Sequence, residues 1–226
     1  MYLTYNSKTP SDVNAWLATL PVLTHSEIKS DEFDIPLRDG VLYNDSYRGN
    51  AVWKAMFHLK NDNLDKQKRK VRQWLSGSGT LVMSDTSDSY YEVKRVIITD
   101  DYKKSMDYGR LSAEFVVYPY EFLTSGDTGV GAGTIANEHD PSMPLYKIVG
   151  NGSGTLTVNN NAMTFTVAGT LYIDTRRFLA YDGSGNNKNG VLSGDYERLR
   201  FITGNNVVSI TSGFTLTVYP KWGYVI

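Results

Sequence analysis

Residues 125–144 read SGDTGVGAGTIANEHDPSMP, a run of small, polar, Gly and Pro residues without hydrophobic periodicity, which is the pattern of a linker or exposed crossover. The chain differs on its two sides. Residues 1–125 hold five glycines, and the remaining 15 of 20 fall in 126–226. Charge divides in the same way, with 16 basic and 17 acidic residues before the boundary and seven of each after it. The break therefore predicts two domains within 226 residues, each near the ordinary size of about 100 residues.

The first half mixes helix and strand. Thr9, Pro10 and Ser11 open TPSDVNAWLATLP with capping and first-turn residues, so a short helix over 10–19 is predicted. Trp53, Ala55, Phe57 and Leu59 alternate with Lys54, Met56, His58 and Lys60, the period of a strand with one buried face. In DNLDKQKRKVRQWLSGSG, Leu64, Val71, Trp74 and Leu75 share a stripe and Gly77 supplies a stop, which predicts one long helix over 62–75. Runs at 80–84, 90–99 and 110–118 read as strands, with 100–108 as a long hairpin loop between the last two. The second half reads as short strands spaced by turn signals, among them GTLTVNN, AMTFTVAG, NVVSI and FTLTVYP, the cadence of a sandwich or jelly-roll domain without helix.

Chemistry is mostly absent. The net charge of −1 leaves no basic footprint for direct nucleic-acid recognition. Zero cysteines exclude thiolate metal sites and thiol nucleophiles. The three histidines, His25, His58 and His139, show no ligand spacing. Asp127-Thr128-Gly129 matches the aspartic-protease triplet but lies in the Gly-rich run without a preceding strand or a second copy. Asp182-Gly183-Ser184-Gly185-Asn186 imitates the start of a calcium loop but has Asn187 and Ser193 where such a loop needs Gly and Glu. No catalytic residue, metal ligand or cofactor site is expected. Lys66, Lys68, Arg69, Lys70 and Arg72 form the strongest charge cluster, read as a solvated helix face. Neither a signal peptide nor an 18-residue apolar run is present, so synthesis as a soluble cytoplasmic chain with no membrane partner is expected.

The order of elements resembles the distal tail protein (Dit) family of siphophages infecting Gram-positive bacteria. The resemblance is carried by FDIPLRDGVLYND (33–45), QWLSGSGTLVM (73–83), YYEVKRVIITDDY (90–102) and GRLSAEFVVYPYEFL (109–123). GTLTVNN (154–160), GTLYIDTRR (169–177), FITGNNVVSIT (201–211) and the late Pro220-Lys221-Trp222 complete it. It implies a mainly β protein with two domains: an N-terminal ring-forming α+β domain over 1–125 and a C-terminal galectin-like β-sandwich over 146–219. Residues 126–145 would link them, and 220–226 is the candidate for a final strand returning to the first domain. The implied role is that of a structural virion protein, not an enzyme. It would form a hexameric ring hub at the tail tip or baseplate, partnered by the tail tube protein, a Tal-like tail-associated protein and a receptor-binding or baseplate protein. A ring needs a heterologous, self-closing interface made by two different faces of each subunit. Asp100, Asp101 and Lys103 of the expected loop, with Arg38, Tyr43 and Tyr47 of the 38–50 segment, are the candidate subunit-interface residues. The alternatives are a monomeric carbohydrate-binding module or lectin, and another ring-forming tail protein such as a tube or completion protein.

Overall fold

A computed structural model describes residues 2–19, 21–34, 40–60, 63–103, 105 and 107–226. The described chain is mainly β and divides into two compact units, the first running to Glu121 and regaining Val225–Ile226, the second spanning Phe122–Tyr224.

The first unit contains β1 (Leu3–Tyr5), β2 (Ala15–Leu17), β3 (Val22–Thr24), β4 (Ile28–Asp34), β5 (Val41–Arg48), β6 (Ala51–Lys60), α1 (Leu64–Trp74), β7 (Gly79–Met83), β8 (Ser89–Lys103) and β9 (Tyr108–Leu123). Its main sheet runs β1-β7-β8-β9-β6-β2, with β3 also paired to β6. Phe57 and Leu59 of β6 stand in register with Leu111 and Gly109 of β9, and Phe57, Leu59, Leu111 and Phe115 are fully buried. Helix α1 covers this face. Asn63 accepts a hydrogen bond from the Lys66 N–H at 3.1 Å and so caps its start. Leu64, Val71 and Trp74 enter the core. Trp74 meets Phe57 edge-on and donates its Nε1–H to the Tyr5 carbonyl at 3.1 Å.

The predicted helix over 10–19 does not form. Pro10–Val13 make one 3₁₀ turn, closed by Asn14 in a left-handed conformation, and the chain then enters β2. Asp12 accepts from the Thr9 N–H at 2.7 Å, so the capping signal was real. Pairing of Ala15–Leu17 along β6 outweighs local helix propensity. The expected 100–108 loop is also shorter, because β8 runs to Lys103 and β9 starts at Tyr108.

The second unit holds β10 (Gly133–Asn137), β11 (Leu145–Val158), β12 (Asn161–Asp174), β13 (Leu179–Asp182), β14 (Leu192–Ser193), β15 (Gly204–Ile210) and β16 (Thr215–Tyr219). The sheet order is β10-β15-β11-β12-β13, with β16 on β11 and β14 on β12. β11 and β12 form a hairpin of two 14-residue strands where shorter strands were expected. Asn159 and Asn160, both at positive φ, make its turn. Leu145–Val149 of β11 pair with β16, while Leu156–Val158 pair with β15. The changeover falls at Gly150, Gly152 and Gly154, where Phe214 lies so close that a Cβ on Gly150 would stand 2.5 Å from its ring. Tyr146, Ile148, Leu156, Phe165, Leu171 and Phe201 fill the core. The segment 126–145, expected as linker, instead contributes β10, and buried Asn137 ties it down by bonds to the Asp140 and Ile202 carbonyls. A final strand, β17 (Gly223–Val225), pairs with β9.

Candidate assembly surface

The sequence of β4, IKSDEFD, lacks the alternation of a half-buried strand, and the structure shows why. β4 and β5 form a two-stranded sheet of their own, in register from Ile28↔Arg48 to Asp34↔Val41 with one irregularity at Lys29/Ser30. Neither strand pairs with any other among the described residues. The ribbon is closed at its base by the Gly49 N–H donating to the Glu27 carbonyl at 2.7 Å. Ile28, Phe33 and Tyr47 are 41%, 50% and 68% exposed. Isolated hairpins are marginal in water, so an exposed ribbon carrying large apolar side chains is suited to lying on another surface.

The sequence-predicted interface residues fall in three places. Tyr47 is on the ribbon and open to solvent. Tyr43 is on the same strand, opposite Glu32, with its side chain outside the described set, and Arg38 lies outside the described residues altogether. Asp100 and Lys103 end β8, their side chains likewise undescribed. Asp101 is not a free loop carboxylate. Its side chain is 17% exposed and held by Lys68 at 2.5 Å and by Arg72. This pairing also divides the basic cluster, since Lys68 is buried and Arg72 engaged while Lys66, Arg69 and Lys70 remain exposed.

Burial alone would raise the Asp101 pKa, but the hydrogen bonds and charges of Lys68 and Arg72 more than offset it and hold the carboxyl below its ordinary value. The folded state therefore binds this proton less tightly than the unfolded chain. The stabilisation is complete above the ordinary aspartate pKa of about 4 and is lost as pH falls through the lowered value. Asp101→Asn should cost about 2 kcal/mol at pH 7, a figure reduced from that of a fully buried pair because Arg72 faces solvent, and should flatten the acid limb of stability. Urea melts at pH 3 to 7 check both expectations.

The other sequence signals resolve into local structure. Asp127 pairs with Lys221, and Gly126 and Gly129 are demanded by close approaches to Trp222 and Thr217. The Asp182 carboxylate accepts from the Ser184 and Asn186 N–H groups and lies 3.6 Å from Lys188, so a cation already occupies its charge. His58 and His139 bond to the Tyr108 and Tyr224 hydroxyls. Among the described residues no three His, Cys, Asp or Glu gather closely enough to hold a metal ion, and no helix is long and apolar enough to cross a membrane.

No protein-family model and no curated protein matches the sequence. Solved structures do. The chain is similar to the Dit protein of phage SPP1, described as a paradigm of the hub adsorption apparatus in phages infecting Gram-positive bacteria, at TM-score 0.69 and 11% identity, over 96% of this chain and 97% of that one. The fold is that of Dit. Two structures of the phage P2 baseplate in its activated conformation also match: with Ca at TM-score 0.50 and 12% identity, and with Sr at 0.53 and 9%, each over 96% of this chain. At these identities the likeness is one of fold. The acidic run Asp31, Glu32, Asp34 was not singled out from sequence, although SDEFD is a compact negative cluster.

Proposed function

We propose that this chain is a structural, non-catalytic phage tail protein, a distal tail protein of Dit type. In this reading six copies form a ring hub that joins the tail tube to the baseplate or tail tip, at the virion's distal end, and supports receptor-binding proteins during host attachment. The observation that carries it is the match to the SPP1 Dit protein over nearly the whole of both chains. The first unit makes the ring, and the second is a galectin-like sandwich. The β4–β5 ribbon, with Tyr43 and Tyr47, and the end of β8 at Asp100 and Lys103 contribute to subunit contacts. Tail tube, tail-associated and receptor-binding proteins are the neighbours. Light scattering across concentration tests the ring: six times 25.3 kDa, about 152 kDa, is expected. A 25.3 kDa monomer at every concentration would oppose self-assembly.

One observation favours a second reading, a saccharide-binding module. A groove of about 600 Å³ in the second unit is bordered by Ser153, Thr155, Thr164, Thr166, Ser193 and Thr211 together with Phe165, Val191 and Leu192. A glycan screen with the whole chain should be blank under the hub reading and positive under this one.

A further inference from the structure

Two features of the first unit are complementary in charge. The first is a polar trough between the Pro10–Val13 turn and α1, bordered by Asp12, Asn14, Asn63, Lys66, Gln67 and Lys70, with a volume of about 280 Å³. It continues past Lys70 and Asp12 into a second depression bordered by Lys8 and Gln73. Asp12 is already engaged, accepting from the Thr9 N–H and the Thr9 hydroxyl at 2.7 and 2.9 Å. Lys66 and Lys70 are exposed and have no carboxylate partner among the described residues. The trough is thus predominantly cationic. In its wall Gln67 is 3% exposed; its Nε2 donates to the Asn14 carbonyl, and its Oε1 is buried without a hydrogen-bond partner. What the trough presents to a partner is therefore the two exposed ammonium groups of Lys66 and Lys70.

The second feature is the ribbon. β4 bonds to β5 along one edge only, and its other edge has no strand partner among the described residues. Asp31, Glu32 and Asp34 lie along it, with Glu32 and Asp34 exposed. An edge strand offers backbone N–H donors, and this one offers carboxylates beside them. That is the chemistry the trough lacks.

We propose that the acidic edge of β4 in one copy seats in the α1 trough of a second copy of this chain. Glu32 and Asp34 face Lys66 and Lys70. This rests on the ring reading and supplies one contact for it. Because the donating and receiving surfaces differ, each copy gives its ribbon to one neighbour and takes another from the opposite side. Such a heterologous contact propagates and can close into a ring.

The absence of cysteine makes the test clean. Glu32→Cys and Lys70→Cys proteins are mixed and oxidised, and the disulfide-linked heterodimer is quantified, with Lys94→Cys replacing Lys70→Cys as the control. At least ~10-fold more heterodimer than in the control is expected, since only a docked pair holds the two thiols within bonding reach. In parallel, Lys66→Glu/Lys70→Glu should weaken association about 10-fold or more at low salt, and adding Glu32→Lys/Asp34→Lys in the same chain should recover most of it. All substituted side chains are exposed, and circular dichroism verifies folding. If the wild type associates but cross-linking equals the control and the swap recovers nothing, the docking proposal is overturned while the ring reading stands. A wild type that stays monomeric at all concentrations overturns both. An acidic peptide from another protein that protects Lys70 while self-association is untouched also overturns it.

Discussion

Replacing residues 29–47 with an Asn-Gly turn should convert the assembled protein to monomer while leaving the first unit folded. The ribbon makes no strand pairing with the main sheet among the described residues, and none of its described side chains is part of the core of Phe57, Leu59, Leu111, Phe115 and Trp74. Removing it therefore takes little buried apolar area from the fold, and melting should shift by the equivalent of about 1 kcal/mol or less. Assembly is another matter. A stable subunit contact buries on the order of 1,600 Å², and the replaced segment supplies Phe33 and Tyr47 as apolar anchors together with the acidic edge. Its loss should weaken association at least ~100-fold, which is the scale of two or three central anchors. Light scattering beside far-ultraviolet circular dichroism reads both consequences. A variant that keeps the wild-type mass would remove the ribbon from the assembly account.

The second large effect is expected from a single methyl group. Gly126→Ala places a Cβ 2.3 Å from the Trp222 backbone nitrogen and 3.0 Å from the Lys221 carbonyl carbon. Both neighbours are main chain and cannot rotate away. The approach is fixed by the Lys221 N–H donating to the Gly126 carbonyl at 2.9 Å and by the Leu123 N–H donating to the Trp222 carbonyl at 2.9 Å. Admitting the methyl requires opening these bonds, so Gly126→Ala should cost about 2–4 kcal/mol. That corresponds to a fall of order 10 °C for a unit of about 100 residues. Gly131→Ala is the control, because nothing lies within 4 Å of its added Cβ and its φ is not in the left-handed region. It should melt within about 2 °C of the wild type, and a slight gain is consistent with a stiffer unfolded chain. Thermal melts of the two variants decide it. Equal stability would show that the segments at 123–127 and 220–222 do not hold each other.

Legibility in the sequence followed the strength of local signals. α1 was readable because stripe and stop agree at Leu64–Trp74 and Gly77, and burial repeats the stripe; the cap expected at Asp62 lies outside the described residues, and Asn63 caps the helix. β6 was readable from strict alternation. The 10–19 helix failed because the same capping residues serve a single 3₁₀ turn, and only the tertiary pairing of Ala15–Leu17 with β6 decides which follows. β10 was hidden because GTIAN has one large apolar residue and is held by Asn137 bonds rather than a hydrophobic face. The continuity of β11 and β12 was hidden by glycines that read as turns; Gly150 and Gly169 are instead directly paired inside the hairpin. The assembly surface was legible only in part. Tyr47 lies exposed on the ribbon, but Asp101 looked free because nothing in the spacing of Lys68, Arg72 and Asp101 announces that helix and strand meet there. The basic cluster, read as one solvated face, is in fact divided by that contact.

The central claim is that this chain is a structural component at the distal end of a phage tail. Immunogold electron microscopy of virions from the phage encoding it, using antibody raised against the purified chain, tests this most directly. The account predicts gold confined to the tail end opposite the capsid. Label on the capsid, along the whole tail, or on no particle at all would contradict it.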